Sequence, residues 1–376
     1  MVNQTVPQAL RYQPAFEQPE DDELRTTEEL ARVLTGISAT VFDDSGHARR
    51  SVHAKGHGLL RGELRVLEAL PDVLAQGLCA RPATYPVVMR LSTSPGDLLD
   101  DTVSTPRGLA LKLLGVDGAR LPGSEAESTQ DFLMVNSPTF LAPDARHFLR
   151  SVKLLAATTD KAPELKKLLS AALRGAESLI EAAGGASATL KALGGHRLTH
   201  ILGESFFSQV PMLWGDAMVK VSVAPISSEL LALKDAPLDL DGRPDGLRDA
   251  VSAFFAEAHG AEWELRVQLC TDLETMPIED ASVTWPEAQS PYIAVARIRA
   301  LPQQTWSESG STAVEDALSF SPWHGLAAHR PLGSIMRVRR AVYQASARFR
   351  AEHNGVPTGE PAAVGCPAVG CPIVRR

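Results

Sequence analysis

Two short segments far apart in the chain carry the side chains that are best suited to chemistry. The first, Arg50-Ser51-Val52-His53-Ala54-Lys55-Gly56, places an imidazole beside cationic side chains. The second contains Arg339 and Tyr343, which are four positions apart and therefore share one face of a predicted helix. A phenol beside a cation favours the phenolate form, and a phenolate is a ligand for ferric haem iron. The two segments together indicate a haem site.

Other polar residues match this interpretation. Arg90 interrupts the apolar run Met89-Arg90-Leu91, and an inward-facing arginine needs an anion to offset its desolvation. Asn136 stands at a predicted strand end before Pro138, where its amide is free to donate a hydrogen bond. A local basic cluster that includes Arg50 and Arg350 predicts a small anionic ligand, although a solvated helix face is the alternative.

The order of elements predicts an α+β fold with an antiparallel β-barrel core. Alternating apolar residues predict strands on both sides of a helical insertion at about 143–195, and a long basic helix follows at 331–353. We expect a flexible arm at 1–20, one main domain at 21–355, and a disordered tail at 356–376. In that tail, Cys366 and Cys371 do not form a CxxC pair, so the sequence gives only weak support for a metal-binding or redox role.

The composition excludes several classes of protein. With 376 residues, 44% hydrophobic residues and 22% charged residues, the chain is typical of globular proteins. The net charge of −8 argues against nucleic-acid binding. We find no apolar run long enough to span a membrane and no hydrophobic N-terminal leader, so a cytoplasmic location is expected. Cys79 and Cys270 lie in apolar segments and are predicted to be buried thiols.

The motifs resemble those of the haem catalase superfamily from about Arg50 to Arg350. The segment 50–56 matches the family's R-x-V-H-A-[KR]-G, and Arg90-Leu91-Ser92-Thr93 matches its R-[FL]-S-T strand. The stretch 105–112 is similar to D-x-R-G-[FL]-A-[VL]-K, with Thr105 in place of the acid. Further matches are the asparagine turn at Asn136, a phenylalanine about a dozen residues later at Phe148, the R-x-x-x-Y pair Arg339 and Tyr343, and the later arginine Arg350.

The resemblance implies a role for each of these residues. Tyr343 would be the ligand of the iron in haem b (iron protoporphyrin IX), with Arg339 stabilising its phenolate. His53 would be the acid–base catalyst, with Asn136 and Ser92 as the other catalytic residues. The remaining residues would bind haem: Arg50, Arg90 and Arg350 through its propionates, and Val52 and Phe148 as walls of the pocket. The implied reaction is reduction of hydrogen peroxide or an organic hydroperoxide through a ferryl intermediate, with a small-molecule reductant.

Short flanks make the chain similar to the small catalase-related branch, which includes peroxidases and coral-type allene oxide synthase. That synthase has a threonine just before the distal histidine, where this chain has Val52. Valine cannot hydrogen-bond a fatty acid hydroperoxide, so we favour peroxide reduction, with catalase activity as a second outcome. A fatty acid hydroperoxide dehydratase or lyase and a haem sensor without turnover remain as alternatives. The sequence leaves homo-oligomer formation open.

Overall fold

The computed structural model describes residues 6–96, 98–158, 197–257 and 260–361. Nine antiparallel strands within these ranges form a single sheet. They are β1 (Lys55–Val66), β2 (Thr84–Thr93), β3 (Arg107–Leu114), β4 (Thr129–Val135), β5 (Phe206–Phe207), β6 (Met212–Trp214), β7 (Ala217–Pro225), β8 (Ala261–Leu269) and β9 (Ile293–Ala300).

The sheet closes into a barrel. Its strand order is β5-β4-β3-β2-β1-β9-β8-β7-β6, and an additional pairing of β5 with β7 joins the two sides. Eight strands therefore form the ring, and β6 extends from β7. The α+β prediction with an antiparallel barrel core is confirmed.

Period-two alternation explains why these segments form the barrel. In β8, for example, Trp263, Leu265 and Val267 are buried within the main core, while the residues between them are only half-buried. The prediction that Cys79 and Cys270 are buried thiols is also confirmed. Side chains of β1 and β2 that do not belong to this core are available to form a site near the barrel wall.

Six described helices surround the barrel. They are α1 (Glu23–Ser45), α2 (Ala145–Thr158), α3 (Ser228–Leu231), α4 (Gly246–Ala256), α5 (Glu308–Ala317) and α6 (Ser334–Asn354). Glycines with positive φ end the two longest, Gly46 after α1 and Gly355 after α6. None of the described helices is both long and apolar enough to cross a membrane.

Helices α1, α2 and α6 form a layer with its own apolar cluster. Leu30 and Leu34 of α1, Leu149 of α2, and Val338 and Val342 of α6 are buried together in it. Each pair on one helix is spaced by four residues, so its side chains share one helix face. This packing fixes the position of α6, which carries Arg339 and Tyr343.

The predicted arm at 1–20 and the predicted tail at 356–376 both contact the folded body through residues that the structure describes. In the 1–20 arm, the Leu10 amide donates to the carbonyl of Cys270, and Glu17 accepts from Arg330 and Arg337. These contacts hold the described part of the arm against the barrel and α6. The ion pairs of Glu17 are charge-assisted hydrogen bonds, which are stronger than neutral ones.

In the 356–376 tail, Glu360 lies beside Lys112 and 3.0 Å from His324 Nδ1. Burial alone would lower the pKa of His324, but hydrogen bonds to Asp131 and Glu360 raise it to about 10. The resulting imidazolium and Lys112 anchor the tail as far as residue 361. Cys366 and Cys371 lie outside the described residues, as does the helical insertion beyond residue 158.

Candidate active site

The predicted site residues come from four parts of the fold. Arg50, Val52 and His53 lie in the segment that leads from α1 into β1. Arg90 and Ser92 lie in β2, and Asn136 directly follows β4. Phe148 lies in α2, and Arg339, Tyr343 and Arg350 lie in α6. The structure brings Arg90 and Ser92 to His53, and it brings the three arginines Arg50, Arg90 and Arg350 to one glutamate, Glu315.

His53 is held in a left-handed backbone conformation, with φ of 52°. This conformation is uncommon for a residue with a Cβ and persists only where surrounding contacts enforce it. Ser92 Oγ lies 3.4 Å from Nδ1 of the ring, and Ser94 Oγ lies 3.5 Å from Nε2. The predicted contact of Ser92 with the imidazole is therefore present, although it is long for a hydrogen bond.

The imidazole of His53 is neutral at physiological pH. Burial, followed by the charges of Arg90 and Arg339, lowers the pKa of His53 from 6.5 to about 3. A neutral ring can accept a proton, as a general base must.

Gly108 makes room for this ring. A methyl group at Gly108 would lie 2.7 Å from His53 Nδ1 and 3.0 Å from Ser92 Oγ. Gly108, which belongs to the motif at 105–112, therefore has a steric function that the sequence alone does not reveal.

Gly108→Ala is expected to displace the His53 ring while leaving the Arg339–Tyr343 pair unchanged. Misplacing a catalytic group by about 1 Å costs roughly 10²-fold in rate. If the chain has the haem-dependent peroxide activity that the sequence motifs imply, we expect a loss of that order in peroxide consumption, with normal hemin uptake. Gly36→Ala is the control, since a methyl group there meets nothing within 4 Å. Equal peroxide rates in the two variants would contradict the steric role of Gly108.

The Arg339–Tyr343 pair has the predicted geometry. Arg339 Nη2 donates to the Tyr343 hydroxyl oxygen at 2.7 Å, and its guanidinium carbon lies 5.1 Å from the ring centroid. Val52, Phe148 and Tyr343 all pack against the cluster formed by α1, α2 and α6. The three residues therefore border the same region, as a shared pocket requires.

The three arginines that we predicted to bind propionates converge on a carboxylate that we did not predict, Glu315 of α5. Arg90 donates to it from Nε at 2.5 Å and from Nη2 at 3.2 Å, and Arg50 Nη1 donates at 3.2 Å. Arg350 Nη1 donates to the Glu315 backbone carbonyl at 2.9 Å. We call Arg50, Arg90 and Arg350 the arginine cluster.

Glu315 also helps to position His53. Arg90, which it binds, donates from Nη1 to the His53 carbonyl at 2.9 Å and from Nη2 to the Ala54 carbonyl at 3.2 Å. Burial would raise the pKa of Glu315, but Arg90 and Arg50 lower it to about 2. The carboxylate is therefore ionised at any physiological pH.

Glu315→Gln is expected to destabilise the protein. Removing one partner of a buried ion pair typically costs about 3–5 kcal/mol, because the remaining charges stay buried without compensation. Urea unfolding would measure the loss. Glu308→Gln on the same helix is the control, since Glu308 is exposed and its change should stay within about 0.5 kcal/mol. Similar losses in both variants would show that Glu315 has no special role.

Asn136 is fixed by a second residue that the sequence did not reveal. Its Oδ1 accepts from the Arg107 backbone amide at 2.9 Å, and its Nδ2 donates to Glu204. Glu204 in turn binds the Arg107 guanidinium. Since an amide nitrogen carries two hydrogens, one donor of Asn136 remains for a ligand.

Similar structures support the fold but do not identify the protein. No family model matches the sequence, and no curated protein matches it. A crystal structure of a fungal catalase aligns with a TM-score of 0.58 and 18% identity, covering 95% of this chain and 68% of that one. A bacterial catalase gives 0.58 and 16% over 94% and 66%, and catalase A from Saccharomyces cerevisiae gives 0.57 and 16% over 96% and 73%. At these identities the likeness establishes the fold alone.

Proposed function

We propose that this chain, which has the catalase fold, is a haem-dependent enzyme that reduces hydrogen peroxide or organic hydroperoxides. The observation that supports this most strongly is the hydrogen bond from Arg339 to the Tyr343 hydroxyl. A guanidinium at 2.7 Å stabilises a phenolate, and a phenolate is a haem ligand.

The charges near the arginine cluster fit the two propionates of haem b. The three positive charges of the arginine cluster face the one negative charge of Glu315, to which all three arginines are hydrogen-bonded, and this leaves an excess of two positive charges. Burial lowers the pKa of Arg350 to about 10, and its Nε is buried without a hydrogen-bond partner. A dianionic ligand would neutralise this excess and occupy the unpaired donor.

The chain's own residues would then perform the following roles. Tyr343 would hold the iron, the arginine cluster would hold the propionates, and Val52 and Phe148 would line the pocket. Haem, when bound, supplies the iron centre and the redox capacity that cleavage of a peroxide bond requires.

Proton transfer would be the task of His53. Its neutral ring accepts the proton from one peroxide oxygen and returns it to the other, which leaves as water or an alcohol. The free hydrogen of Asn136 Nδ2 orients the peroxide, and Ser92 supports the ring. Val52 offers no hydroxyl to a lipid hydroperoxide, so the dehydratase alternative lacks a positioning group.

The pH dependence should reflect the low pKa of His53. Because the ring becomes protonated only near pH 3, the rate constant for peroxide consumption should stay level from about pH 8 to about pH 5. It should fall only as the pH approaches 3. Stopped-flow measurements with the hemin-loaded protein would test this. A halving of the rate near pH 6.5 would indicate an ordinary histidine instead.

Product analysis tests the proposed function itself. The hemin-loaded protein should convert hydrogen peroxide or cumene hydroperoxide to water or the alcohol while consuming a reductant. Conversion of a fatty acid hydroperoxide to an epoxide or aldehyde without a reductant would support the dehydratase alternative and contradict the proposal.

A further inference from the structure

A cavity of about 690 Å³ borders the arginine cluster. It lies among the end of α1, the start of β1 and helix α5, and its wall includes Arg50, Arg350 and Glu315. Among the described residues that line it, none is His53, Tyr343 or Phe148. The cavity therefore lies on the side of the arginine cluster and is not lined by His53 or Tyr343.

Arg49 contributes an unpaired cation to this cavity. Its Nε is buried and has no hydrogen-bond partner, and no described carboxylate forms an ion pair with it. Burial lowers the pKa of Arg49, and the charges of Glu315 and Asp316 only partly oppose this effect. Neighbouring Arg50, by contrast, binds Glu315 and the Leu318 carbonyl. A half-buried guanidinium without a partner favours binding of a carboxylate, whose two oxygens match its planar donors.

An aromatic wall lies in the same cavity. Trp306 lines it, and the Arg248 guanidinium carbon lies 4.3 Å from the Trp306 ring centroid. Gly56 lets the indole approach the barrel, since a methyl group there would lie 3.0 Å from the ring. A planar ligand can pack against an aromatic surface of this kind.

The exposed charges at the rim of the cavity restrict the charge that the ligand can carry. Asp44 and Glu308 are exposed residues of the cavity lining. They would repel a ligand with several negative charges, such as a nucleotide polyphosphate, more strongly than a single carboxylate. The volume exceeds what one substituted benzene ring needs, so a small aromatic acid fits without rearrangement.

We propose that this cavity binds a small aromatic monocarboxylate, with its carboxylate on Arg49 and its ring beside Trp306. Resting on the proposed function, this ligand is the reducing co-substrate, a hydroxyaromatic acid. Two such phenols each give up one hydrogen atom, and the hydroperoxide takes up both. The products are an alcohol (or water, when the substrate is hydrogen peroxide), one water molecule and two phenoxyl radicals.

Calorimetric titration with 4-hydroxybenzoate and its neutral methyl ester tests the site in the purified chain, before and after hemin loading. We expect the acid to bind at least about tenfold more tightly than the ester, because only the acid forms a charge-assisted contact. Arg49→Gln should abolish this preference, whereas Arg65→Gln, which alters an exposed arginine paired with Glu68, should keep it. Trp306→Leu should weaken binding of both ligands. Equal binding of acid and ester, or an unchanged preference in Arg49→Gln, would contradict the proposal that Arg49 binds the carboxylate in this cavity.

The binding measurements need neither peroxide nor hemin. They therefore test whether the cavity binds the acid even if the proposed function is wrong. Failure to take up hemin would overturn the proposed function alone. If the acid binds through Arg49 but the hemin-loaded protein reduces peroxide only with other donors, the assignment as co-substrate is overturned. Oxidation of the acid with a higher KM in Arg49→Gln would support it.

Discussion

Replacing Tyr343 by Phe is expected to abolish stable hemin binding, or to weaken it by more than about 100-fold. Changes to groups that merely support a metal ligand already cost 10–100-fold in affinity, and this change removes the proposed ligand oxygen itself. Phenylalanine keeps the ring that packs against the cluster of α1, α2 and α6. The fold should therefore persist, and hemin titration followed through the Soret band would measure the loss.

Tyr85→Phe provides the matched control for this change. The Tyr85 hydroxyl donates to the Leu78 carbonyl and to none of the predicted haem-binding residues, so its removal should leave the hemin spectrum unaltered. A Tyr343→Phe variant with the same Soret band and affinity as the unmodified protein would refute Tyr343 as the ligand.

Replacing His53 by Ala should leave hemin uptake intact but lower the rate of peroxide consumption by about 10²–10⁴-fold. The reason is that the neutral imidazole is the proposed carrier of the proton between the two peroxide oxygens. Initial rates at saturating reductant would measure the effect, after the hemin content of each preparation has been matched.

His147→Ala is the control for the histidine replacement. His147 lies at the start of α2 with half of its side chain exposed and paired with Asp144, so the variant should retain normal rates. If His53→Ala turned over peroxide as fast as His147→Ala, another group would have to move the proton.

The barrel and the contact between Arg339 and Tyr343 could be predicted because their signals are local. Alternating apolar residues mark β7 and β8, and the spacing of Arg339 and Tyr343 is a helical repeat whose contact the structure reproduces. Each of these patterns is contained within about ten residues. Local patterns survive in the folded protein because the periodicity of side chains is set by the backbone geometry.

The partners of these residues could not be predicted because they are distant in sequence. Glu315 binds Arg90 across 225 positions, and Glu204 binds Asn136 across 68. The sequence neighbours of each glutamate do not distinguish it from a surface residue, because its partner comes close only when the barrel closes. The same applies to Glu17 in the predicted arm and Glu360 in the predicted tail, whose partners Arg330 and Lys112 are equally distant in sequence.

Titration of the purified, unmodified chain with hemin tests the central claim most directly. We expect uptake of one hemin per chain, with a Soret band that Tyr343→Phe removes and Tyr85→Phe preserves. A protein that takes up no hemin, or takes it up equally well without the Tyr343 oxygen, would contradict the account.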